Sequence, residues 1–70
     1  MEYVTVKYPE SRKVLVDGEL TGVTNEILKL EEGTHTFELG GAKDYKPLSQ
    51  TVVIEGTNPV KPMEVAFEKV

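Results

Sequence analysis

His35 is the chain's single histidine, and histidine is the side chain best placed to move a proton near neutral pH. A nucleophilic set would need a serine and a carboxylate beside it. Ser11 or Ser49 with Asp17 or Asp44 are the available partners. Neither serine stands in a Gly-x-Ser-x-Gly elbow, and a chain of 70 residues has little room for an enclosed pocket. Glu31-Glu32 could pair for acid–base work, but the two fall at a predicted turn tip, where solvated carboxylates are common. Gly40-Gly41-Ala42-Lys43 lacks the Gly-x-x-x-x-Gly-Lys-Ser/Thr spacing that cradles phosphate. No Asp-x-Asp-x-Asp-Gly calcium loop exists, although folding could still gather Asp17, Glu19 and Asp44 around a calcium ion. One histidine and no cysteine disfavour zinc.

No catalytic residue, cofactor or metal ligand is therefore assigned, and the chain is read as a non-enzyme. His35 shares an apolar side with Phe37 and Leu39. There a polar ring needs a partner, so it is expected to bond backbone near Glu31-Glu32-Gly33. The residues best placed to touch a ligand or partner are Lys43, Tyr45 and Lys46, on the longest loop.

Composition narrows the class. Seventy residues make one domain. Without cysteine no disulfide supports it, so the core rests on aliphatics and five aromatics, Tyr3, Tyr8, Phe37, Tyr45 and Phe67. Twelve acidic against eight basic residues give a formal charge of −4, which does not attract nucleic acid or anionic lipid. No apolar run approaches the roughly 20 residues that span a bilayer. Glu2, Lys7, Glu10 and Arg12 interrupt any leader-like apolar stretch.

The elements read as strands. Leu28 and Leu30 point one way, as do His35, Phe37 and Leu39, with Lys29, Thr34, Thr36 and Glu38 opposite. That period of two predicts an antiparallel hairpin turning at Glu31-Glu32-Gly33. A short helix over Thr24 to Gly33 is the rival reading, disfavoured because it spans under three turns. Tyr3 to Tyr8 is a strand with Val4, Val6 and Tyr8 inward, ended by Pro9. Lys13 to Val16 follows, and Asp17-Gly18 predicts a tight hairpin into Glu19-Leu20. Thr21 to Asn25 is rich in turn formers. Gly40 to Ser49 is a loop in which Tyr45 turns inward to cover the core's end. Gln50 to Ile54 is a strand, and Val60 to Val70 closes the fold from a sheet edge, as Pro62 suggests. The expected architecture is all-β, a two-sheet antiparallel sandwich of about seven short strands without a substantial helix.

From about Lys13 to Phe67 the chain resembles the PEGA domain family. The resemblance lies in Val14-Leu15-Val16-Asp17-Gly18, in Thr21-Gly22-Val23-Thr24, and in Leu28-Lys29-Leu30 with Gly33-Thr34-His35-Thr36-Phe37. Tyr45 and Thr51-Val52-Val53-Ile54 continue it. Asn25 stands where the family's turn carries proline, and Asp44 stands where it favours glycine before tyrosine. The resemblance implies a prealbumin-like or carboxypeptidase-regulatory-like sandwich. It also implies an accessory domain appended to bacterial extracytoplasmic or cell-envelope proteins, with no catalytic residues to carry over.

The expected function is thus a spacer or an interaction module. Its partners would be other domains of a parent chain, or an envelope protein or glycan, and the isolated domain would be a monomer. The strand-like ending at Glu64 to Val70 suggests a piece of a longer protein, with Met1 an added start. The alternative is a carbohydrate-binding module using the Gly40–Ser49 loop, which requires exposed tyrosines among Tyr3, Tyr8 and Tyr45.

Overall fold

The computed structural model describes residues 1–70, which form nine strands and no helix. The strands are β1 (Glu2–Lys7), β2 (Lys13–Val16), β3 (Glu19–Val23), β4 (Ile27–Leu30), β5 (Gly33–Leu39), β6 (Tyr45–Lys46), β7 (Gln50–Ile54), β8 (Met63–Ala66) and β9 (Glu68–Lys69). Two sheets face each other, one ordered β4-β1-β8 and the other β3-β2-β5-β7. The predicted all-β sandwich is what the chain adopts, with seven strands of four residues or more. The two-residue strands β6 and β9 pair with each other.

The pleat explains the core. Val4 and Val6 alternate inward along β1, Val14 and Val16 along β2, and Phe37 and Leu39 along β5. Leu28, Leu30, Tyr8, Tyr45, Ile54, Val65 and Phe67 complete one apolar cluster. All pairings but one are antiparallel. The exception is β1 with β8, which run parallel with Val6 opposite Val65.

Two expectations need correction. The predicted hairpin from Leu28 to Leu39 does not form: β4 pairs antiparallel with β1, Val4 opposite Leu28, whereas β5 lies between β2 and β7. Glu31-Glu32 therefore carries the chain between sheets. Alternation cannot distinguish the two arrangements, since neighbours in one sheet and strands facing across a core both send alternate residues inward. The second correction is that β3 continues through Thr21 and Gly22. A bulge interrupts its register opposite Val14 and Leu15 and takes up the extra residue. A Cβ on Gly22 would overlap Leu28 Cδ2, so this glycine is there for close approach of the two sheets.

The turn after β3 is built on Thr24 and Asn25. The Thr24 hydroxyl accepts from Arg12 N–H at 2.9 Å and donates to Glu10 O at 2.7 Å. Asn25 has φ 64°, a left-handed conformation that asparagine tolerates better than most residues. Its N–H donates to Val6 O at 2.7 Å. Its side-chain amide donates to Tyr8 O and accepts from Tyr8 N–H, as a paired strand would. Proline can supply neither the φ nor the donors. Asn25→Pro is expected to cost at least about 2 kcal/mol, from lost hydrogen bonds and a forbidden dihedral; urea denaturation checks this.

Candidate functional site

His35 lies where three elements meet. The Asp-Gly turn between β2 and β3 has both residues at positive φ, 53° and 84°, as a tight hairpin of this twist requires. The backbone of Asp17 donates to Thr36 O at 2.8 Å, which places its side chain beside β5. Asp17 Oδ1 accepts from Thr36 N–H at 2.9 Å, and Oδ2 lies 2.7 Å from His35 Nδ1. His35 Nε2 lies 2.7 Å from Glu31 O, in the crossing between sheets.

Geometry sets the charge of the ring. A carboxylate and a peptide carbonyl both only accept, and a neutral imidazole has one donor. Both contacts can be hydrogen bonds at once only when both nitrogens carry protons, so this geometry favours the imidazolium over the neutral ring. The Asp17 carboxylate, then the Glu31 carbonyl, raise its pKa above the ordinary value against the opposing effect of burial. Asp17 is held below the ordinary carboxylate value, first by Thr36 N–H and then by His35.

An open depression of about 450 Å³ adjoins this cluster, lined by Asp17, Glu19, Lys29, Glu31 and His35 among others. It places a histidine beside a carboxylate, the arrangement that a hydrolytic reading asks for. Neither nitrogen is free, however. A general base needs an unprotonated nitrogen facing substrate, and here Nε2 is committed to Glu31 O. Of the possible serine set, the fold unites His35 with Asp17 alone. Ser11 and Asp44 lie toward the other end of β2, where Arg12 binds Asp44. Asp17 and Asp44 are accordingly separated by the length of that strand, and no three His, Asp or Glu side chains group as metal ligands.

That other end is organised by Arg12, which sequence reasoning missed. Its Cζ lies 5.7 Å from the ring centroids of both Tyr8 and Tyr45. Nε and Nη2 donate to Gly40 O, Nη2 to Ala42 O at 2.6 Å, and Nη1 to Asp44 Oδ1 at 2.8 Å. The hydrogen bond from Arg12, foremost, lowers the Asp44 pKa. The loop thus turns carbonyls inward onto a cation, the reverse of a phosphate cradle, which presents N–H groups. One signal was available: Arg12 is the chain's one arginine among eight basic residues, and a planar fork of five donors is not interchangeable with lysine.

The three residues proposed for ligand contact separate. Lys43 and Lys46 are exposed, with Lys46 Nζ 3.7 Å from Glu68. Tyr45 is only 2% exposed, and its hydroxyl donates to Leu39 O at 2.9 Å. Its ring meets Tyr8 and Phe67 edge-on. Tyr45 is therefore a core residue, and the contact assigned to it is corrected. Tyr8 is also buried and Tyr3 half-buried, so no row of exposed tyrosines exists for stacking sugars. Comparison with protein-family models, curated proteins and solved structures gives no significant match.

Two outcomes follow. His35 holds its proton more tightly folded than unfolded, so its stabilisation is full below about pH 6.5 and lost as pH rises through the elevated folded value. Asp17 holds its proton less tightly folded, so its contribution is present above about pH 3.9 and lost as pH falls through its depressed folded value. Asp17→Asn is expected to return the His35 pKa toward 6.5, read from the imidazole proton shifts, and to flatten both limbs of urea midpoint against pH. Arg12→Lys is expected to speed amide exchange in Gly40 to Asp44 while the β5–β7 amides remain protected.

Proposed function

We propose that this chain is a non-enzymatic β-sandwich module, acting as a spacer or as a domain that docks on a protein or cell-envelope partner. The observation that carries the reading is the commitment of His35, Asp17 and Arg12 to the fold. Both nitrogens of His35 are engaged, both oxygens of Asp17 are engaged, and Arg12 spends its donors on one loop. A catalytic histidine keeps a nitrogen free to face its substrate.

The PEGA relationship belongs to the same proposal. Its support is the Asp17-Gly18 turn and the placing of Gly33 at φ 135°, a value that disfavours any residue with a side chain. The two departures are each compensated locally. Asn25 closes its turn through its amide, and Asp44 anchors its loop through Arg12. An extracytoplasmic or envelope setting in a bacterial parent protein is part of this reading.

The test is an amide NMR titration of the domain with peptidoglycan fragments, an oligosaccharide panel and calcium. No localised shift in Gly40–Ser49 is expected at millimolar ligand. Saturable shifts confined to Gly40–Ser49 upon adding a glycan would replace this reading with a carbohydrate-binding one.

A further inference from the structure

Every open sandwich has four edge strands, here β4 and β8 on one sheet and β3 and β7 on the other. Edges present unpaired N–H and C=O groups that can pair with another chain unless something obstructs them. Three are obstructed. Strand β3 carries the bulge, begins on charged Glu19, and has the Thr21 hydroxyl donating to Glu19 O at 3.1 Å. Strand β4 has four residues with Lys29 exposed in its middle. Strand β8 follows Pro62, contains Glu64, and has Ala66 O occupied by Gln50 Nε2 at 2.6 Å.

Strand β7 has none of these devices. Gln50-Thr51-Val52-Val53-Ile54 contains no charge, proline or glycine, and its register with β5 is continuous from Phe37–Gln50 to Gly33–Ile54. No hydrogen bond outside that ladder reaches its backbone. Thr51 is exposed, and Val53 is 55% exposed.

We infer that two copies of this chain join antiparallel along β7, about a two-fold axis at Val52, into one continuous eight-stranded sheet. The register follows from the pleat. Antiparallel partners share a face, so only residues of like parity pair. Centring on Val52 overlaps all five residues: Val52 meets Val52, Thr51 meets Val53, and Gln50 meets Ile54. Threonine and valine are both β-branched and suit a strand face. The same register sets Glu55 against Ser49 of the second copy, so no like charges oppose across the seam. A two-fold axis makes the contact self-limiting, because each copy has one such edge.

The seam draws on the edge backbone alone and does not depend on the module reading, so a chain that fails to dimerise leaves the outcome of the glycan titration unaffected. The test is sedimentation equilibrium of the whole chain from micromolar to millimolar concentration, with amide exchange in parallel. The apparent mass is expected to rise from 7.8 kDa toward twice that value, more readily at higher salt because both copies are acidic. Slowed exchange on association is expected at Gln50–Ile54. The T51K/V53K variant sets ammonium groups opposite each other in both pairs that flank Val52 and is expected to stay monomeric. An equimolar mixture with T51E/V53E is expected to associate again. A wild-type chain that stays at 7.8 kDa at millimolar concentration overturns the inference. So does a T51K/V53K chain that associates as readily as wild type, or a wild-type seam protecting a different strand.

Discussion

The carbonyl of Glu31, in contact with the ring of His35, marks the place where the chain leaves one sheet and enters the other. That crossing decides the architecture. Because β4 departs from β5 there, it becomes available to β1, and β1 becomes the centre of its own sheet. The same ring grips Asp17, so the first hairpin turn, the third strand of its sheet and the inter-sheet crossing are tied at one point. A neutral histidine could satisfy only one of these partners. A protonated ring lets a single side chain act on all three. At the far end of β2, Arg12 plays a comparable part between two tyrosine rings and a loop. A core built largely from valines and leucines, with no disulfide, is therefore closed at both ends by a basic side chain with more than one partner.

These two basic side chains were unequally visible in the sequence. His35 falls on the apolar side of a strand, and a polar ring there must find a partner. Its bond to backbone near Glu31 followed from that requirement. Its second partner did not, because Asp17 lies 18 residues away and its turn-forming role already explained its presence. Arg12 sits among turn residues with no periodicity to mark it. Its partners Tyr8, Tyr45 and Asp44 converge only after both sheets have formed.

The same division runs through the fold. Strands and the Asp17-Gly18 turn were legible because alternation and left-handed dihedrals are local properties. Sheet membership was not, since it depends on which distant strand offers the better partner. The parallel pairing of β1 and β8 joins residues some sixty positions apart, such as Val4 and Met63, and no local pattern announces it. Gly22 shows how composition misleads. It reads as a loop former, yet it lies within a strand because Leu28 needs the space.

That parallel pair also bears on how the domain would carry load. Strand β1 starts near the amino end, β8 finishes near the carboxyl end, and both run the same way. Tension along the chain would first peel away the short β9–β6 bridge. It would then draw β1 and β8 past each other lengthwise, loading their shared hydrogen bonds together in shear instead of opening them one at a time. Pulled by its two ends, the sandwich is loaded lengthwise along the β1–β8 pair.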